Sequence, residues 1–150
     1  MSKGLYITAI VGGGILTFVF LLLGMDRKTQ EMMMAVPIPI VIVTIFHLML
    51  VYKIWDSIRD GKPRTTPGKA VGFLFIPFFN LYWIFQVYPG FADDYNRYIK
   101  EKGIQARPLS RGLMTALAIF IIFSIPVVNW IVQAMAVSKL CDAVNVVKKK

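Results

Sequence analysis

Four stretches of this chain, about residues 5–24, 33–55, 70–89 and 113–137, are almost uninterruptedly apolar. Each is about as long as a bilayer interior is thick, because roughly 20 helical residues rising 1.5 Å apiece cover ~30 Å. The hydrophobic fraction of 57% and mean hydropathy of +0.63 exceed those of water-soluble domains, and the excess lies in these blocks. In lipid only helices and closed barrels satisfy their own backbone, and long runs without period-two alternation read as helices. The expected fold is therefore all-α: one membrane domain over residues 1–150, an integral bundle of about four hydrophobic segments.

Within the second half, the pattern I-P-x-x-N followed by D-x-x-N occurs twice, 49 residues apart. Ile76, Pro77, Asn80, Asp93 and Asn96 recur as Ile125, Pro126, Asn129, Asp142 and Asn145. Proline removes a backbone donor and frees a carbonyl, and an amide in lipid needs a partner, so neither is neutral filler. The repeat reads as one unit used twice, a Pro-kinked helix followed by an amphipathic surface helix. Those surface helices are placed at about 91–102 and 138–147. In the first, Phe91, Tyr95, Tyr98 and Ile99 share one face while Asp93, Arg97 and Glu101 line another, with Gly103 as the stop. Leu140, Val144 and Val147 stand 49 residues after Phe91, Tyr95 and Tyr98.

Local signals place several ends. The first segment reads as an uncleaved anchor, with Ala9, Gly13 and Thr17 forming a small-residue face suited to internal helix packing. Pro37 and Pro39 suit a first turn, and Tyr52, Lys53 and Trp55 suit the membrane–water boundary. Thr66 before Pro67, and Ser110 before Arg111, read as helix N-caps.

Charge decides between two geometries only in part. The chain carries 17 Lys and Arg against 8 Asp and Glu, a formal net charge of +9, and most of it lies between the apolar blocks. If all four segments span, the Lys and Arg divide 10 to 7, with both termini cytoplasmic. If the third and fourth segments enter and return, the division becomes 15 to 2, but irregular backbone at membrane depth must then be covered by protein. Kinked spanning helices are the commoner use of a mid-membrane proline and are the expectation; the re-entrant form is the alternative. The basic character points to anionic lipid headgroups, contacted by Arg97, Lys100, Lys148, Lys149 and Lys150, and no motif points to nucleic acid.

The polar side chains deepest in the apolar blocks are His47, Asn80, Asn129 and Gln133. Together they form a candidate intramembrane cluster, either a small-molecule or ion site or interhelical glue around the Pro77 and Pro126 kinks; glue is the favoured reading. The aromatic stripe from Phe73 to Phe85 reads as a lipid-facing or packing surface. One histidine and one cysteine, Cys141, offer no metal tetrad, and no nucleophile–base or paired-acid arrangement appears. No cofactor and no catalysis are expected. The favoured function is an accessory or scaffold subunit that packs with itself or with other membrane proteins. A minimal transporter or channel, or a lipid-binding, membrane-shaping protein, are the alternatives.

The run from Thr66 to Trp83, T-P-G-K-A-V-G-F-L-F-I-P-F-F-N-L-Y-W, resembles a family of small bacterial multi-pass membrane proteins. Those carry T-P-x-x-A-V, then I-P-[FL]-F-N-x-Y-W, then an acidic segment with Asn; the likeness covers roughly Trp55 to Asn96. It implies a helical protein of about four segments in the bacterial inner membrane and assigns no activity.

Overall fold

The computed structural model describes residues 2–23, 37–123 and 126–148. Ile125, Lys149 and Lys150, and the expected segment ends at 24 and 33–36, lie outside the described residues, and Pro126 is described by its backbone alone.

Helix α1 runs Lys3–Leu23, with one widened π turn at Thr8–Gly12. Helix α2 is Pro37–Ser57, opening on its proline as a first helical position allows. Both have 21 residues. They touch closely: a Cβ on Gly13 would stand 2.5 Å from Val43 Cγ2. The small-residue face is thus used for packing inside the molecule, where a bare glycine lets α2 approach.

The third apolar stretch is not one helix. Helix α3, Pro67–Gly72, tightens into a 3₁₀ turn at Phe73–Phe75. Ile76 is extended and Phe78 takes φ +62°, and only then does α4 begin, Phe79–Val87. The two arms lie antiparallel. Trp83 Nε1 donates to Ala70 O at 3.1 Å, and the Phe73 ring meets Phe79 and Trp83 at 5.6 and 4.8 Å. Pro77 therefore sits in a reversal rather than in a kinked helix. A positive φ costs a non-glycine residue energy, so the reversal must be held by what the arms do below it.

Helix α5, Pro89–Glu101, follows α4 across Tyr88, where proline ends the regular ladder. Its predicted amphipathic face is correct: Phe91, Tyr95, Tyr98 and Ile99 are all buried. Gly103, at φ +61°, stops it, with Ile104 N donating to Ile99 O at 2.8 Å in the manner of a Schellman cap. Thr66 and Ser110 also act as predicted, their hydroxyls accepting from Lys69 N and Leu113 N.

Helix α6, Arg111–Phe123, and helix α7, Pro126–Lys148, pack along one another. Ser110 and Leu113 at the start of α6 share a cleft with Lys139, Asp142 and Ala143 late in α7, so these two helices also run antiparallel. The separate surface helix placed at 138–147 is a correction: α7 continues through it unbroken. Ser138 occupies the position corresponding to Pro89 in the repeat, and without proline the ladder persists.

Burial is concentrated at one end. Tyr6 and Ile10 of α1, Leu50, Val51, Ile54 and Trp55 at the foot of α2, the inner face of α5, Met114 and Leu117 of α6, and Leu140, Cys141 and Val144 of α7 form the core. At the opposite end Leu21–Leu23, Ile38, Ile40–Ile42, Phe75–Phe79, Phe123 and Ile131 are largely exposed. Among the described residues three helices are long and apolar enough to cross a bilayer, Lys3–Leu23, Pro37–Ser57 and Val128–Lys148, with Arg111–Phe123 a shorter apolar helix. Such helices with bare hydrophobic flanks belong to a membrane protein.

Candidate functional site

Two features combine polar chemistry with a defined geometry: an ionic clamp at the packed end and a cavity among the apolar segments.

The clamp centres on Asp94, whose side chain is 2% exposed. Arg64 donates to it twice, from its backbone N to Oδ2 at 2.7 Å and from Nη2 to Oδ1 at 3.1 Å. Arg97 Nη2 stands 3.5 Å from the same Oδ1 and donates to Lys62 O at 3.1 Å. Arg64 also approaches Asp93 at 3.6 Å, which Arg111 reaches from the start of α6 at 3.3 Å. Gly90 makes room for this crossing, since a Cβ there would meet Arg64 Nη1 at 2.8 Å. The side-chain amide of Asn96 pairs with both backbone groups of Leu109, at 2.8 and 2.9 Å. Asp60, held 3.2 Å from Lys102, has its carboxyl kept below the usual range, first by the Tyr98 hydroxyl and then by Lys102. Burial and the Asp60 contact push the Tyr98 phenol up. Asp142, the repeat counterpart of Asp93, takes Lys3 at 2.8 Å.

The cavity lies between α2, the α3–α4 hairpin and α6, with a volume of about 470 Å³. Its polar lining is Thr44, His47, Asn80 and Tyr88. The Thr44 hydroxyl is engaged with Ile40 O, and Tyr88 Oη hydrogen-bonds His47 Nε2 across 41 residues of sequence. On the other side of α2 a second cavity, about 350 Å³, holds Asn129, Gln133 and Trp130 beside Gly14 and Thr17. There Gln133 Nε2 donates to Asn129 Oδ1 at 2.9 Å, one helical turn apart.

The predicted four-residue cluster is therefore two pairs. His47 and Asn80 share one cavity and Asn129 and Gln133 the other, because α2 passes between them and presents Val43 and Thr44 to both. Tyr88 and Arg64 were not singled out from the sequence. Neither had a local signal: their partners lie 41 and 30 positions away. Of the expected headgroup contacts, Lys100 and Lys148 are exposed, whereas Arg97 is turned onto Asp94 and Glu101. Among the described residues no three His, Cys, Asp or Glu side chains come together, and Cys141 is buried. Comparison with protein-family models, curated proteins and solved structures finds no match to this chain.

Proposed function

We propose that this is a non-enzymatic, structural membrane protein in which α1 and α2 cross the bilayer while two helical hairpins enter from the charged side and return to it. The observation that carries the reading is the closed first hairpin, with Trp83 bonded to Ala70 partway along and Arg64 bonded to Asp94 at its mouth. An arm of nine residues reaches only about 13 Å, less than half of a bilayer interior. The second hairpin, with α6 of 13 residues, reaches about 20 Å. Pro77 lies between the arms of one and Pro126 opens the return arm of the other, which is what a duplicated unit requires.

This reading adopts the 15-to-2 division of Lys and Arg, which places the charged end and both termini in the cytoplasm. In the bacterium that the Thr66–Trp83 motif suggests, that is the inner membrane. The arms of the first hairpin then add volume to one leaflet only, and those of the second, which pass the midplane, add most of theirs to the same leaflet. A wedge of that shape favours curved or loosely packed bilayers, so membrane shaping is the role the geometry supports best. Lys62, Lys69, Lys100, Arg107, Lys139 and Lys148 have no carboxylate partner among the described residues and would face anionic headgroups. The small-residue face that suited another helix is occupied by Val43, so a scaffold partner would have to use a different surface.

Sidedness tests this. With Cys141 replaced by Ala, single cysteines at Ser2 and Gln105 should react with an impermeant maleimide from the same face of oriented vesicles. Labelling of Gln105→Cys from the opposite face would overturn the re-entrant arrangement. Enrichment on vesicles of about 30 nm over 200 nm ones would follow from the wedge, and equal partition would remove the shaping role.

A further inference from the structure

We propose that the cavity between α2, the first hairpin and α6 binds an uncharged, lipid-soluble molecule with a ring carbonyl, of the prenylated-quinone class, and that the Asn80 amide donates to that carbonyl. The inference rests on the apolar segments lying in lipid, as proposed above, but not on the re-entrant arrangement or on curvature.

The amides of the two repeat copies differ in one respect. Asn129 is paired with Gln133, whereas the Asn80 side chain has no hydrogen-bond partner among the described residues. An amide carries two donors and an acceptor, and among Leu74, Leu81, Ile84 and Ile121 an unmatched one is unfavourable. The other polar groups of the cavity are already engaged, Thr44 with Ile40 O and His47 with Tyr88. The cavity thus has one uncommitted polar side chain, half-buried and set in an apolar wall.

The lining restricts what fits. Among the described residues no Lys, Arg, Asp or Glu lines it, so none of them offers a carboxylate, an ammonium or a phosphodiester a counter-charge there. Leu74, Phe75, Asn80 and Leu81 line it at the hairpin tip, while Ile84 and Tyr88 close it toward the charged end, so the Asn80 amide lies on the side away from the headgroups. A polar atom at that depth must belong to a molecule whose head itself resides in hydrocarbon. A quinone does so: its carbonyls are acceptors only, matching the amide donors, and its ring is flat and apolar. About 470 Å³ holds a substituted benzoquinone ring with a short length of tail, within the range of ordinary ligand sites. Exposed Phe75 and Leu81 flank the route by which the rest of the tail would reach lipid.

The test uses the full chain in lipid nanodiscs and a benzoquinone with a ten-carbon tail as probe. Retention should be saturable at one probe per chain and should exceed that of decylbenzene, which has the tail and ring without the carbonyls. Asn80→Leu should weaken it roughly tenfold, the loss of about one good hydrogen bond. Ile122→Trp, which fills the cavity without touching its polar groups, should abolish it, and Asn129→Leu, on the far side of α2, should leave it unchanged. Unsaturable retention, equal retention of decylbenzene, or equal binding by Asn80→Leu and Ile122→Trp would overturn the proposal. The maleimide labelling separates the two readings: saturable binding with opposite-face labelling of Gln105→Cys would remove the re-entrant arrangement and leave this site standing.

Discussion

Arg64 and Asp94 close the mouth of the first hairpin from opposite sides, 30 residues apart in sequence, through two hydrogen bonds at 2.7 and 3.1 Å. A charge-assisted pair to a carboxylate that is 2% exposed is among the stronger polar contacts a fold can make, although the 36% exposure of Arg64 screens it. Removing the carboxylate leaves the Arg64 backbone N–H unsatisfied and its guanidinium with only the longer contacts to Asp93 and Gln86. Asp94→Ala is expected to cost about 2 kcal/mol, between the buried and surface limits. Lys3→Ala, which breaks a pair exposed on both sides, should cost well under ~1 kcal/mol. Unfolding from mixed micelles with increasing denaturing detergent measures both, and equal losses would show that the clamp is not special.

Glycine positions divide sharply. Gly13→Leu must displace Val43 from 2.5 Å and should destabilise by about 1–3 kcal/mol. Gly68→Ala meets nothing within 4 Å inside helix α3 and should be neutral or stabilising by up to ~1 kcal/mol. The same unfolding assay reads the contrast; a destabilising Gly68→Ala would mean the α3 surface is covered.

Phe78 carries the reversal, at φ +62° with 88% of its surface exposed. Phe78→Gly should relieve backbone strain by about 1 kcal/mol, seen as a higher melting temperature in detergent. Phe78→Trp should be quenched most strongly by lipids brominated deep in their acyl chains. Quenching confined to headgroup-proximal bromines would mean that the hairpin does not enter.

The Asp60–Tyr98–Lys102 contact sets a pH window. A carboxyl held below its ordinary 3.8 contributes stability that is complete above that value and is lost as pH falls through the folded-state value. A phenol raised above its ordinary 10.0 contributes stability that is complete below 10.0 and is lost as pH rises through the folded-state value. Hydrogen exchange in the loop after α5 should therefore be slowest from about pH 4 to 10, corrected for intrinsic rates. Asp60→Asn should flatten the acidic side, and an unchanged profile would dismiss the contact.

Local signals were readable wherever neighbouring residues suffice. Thr66, Ser110 and Gly103 act within three or four positions of themselves, so their capping roles follow from residue type. The buried face of α5 follows from helical spacing. The polar cluster failed for the opposite reason: residues at one depth in lipid are not thereby neighbours, and a helix passing between them was invisible in the pattern.

Hydrophobic length and block order alone settle that the chain is helical and suited to a membrane, because a backbone in hydrocarbon has few ways to satisfy itself. They leave open whether I-P-x-x-N bends a helix or reverses it, since proline at that point permits both. That choice belongs to the tertiary structure: Trp83 finds Ala70, Arg64 finds Asp94, and Tyr88 finds His47, each across a distance no local preference spans. Only when those groups meet does the reversal at Phe78 become the lower-energy path.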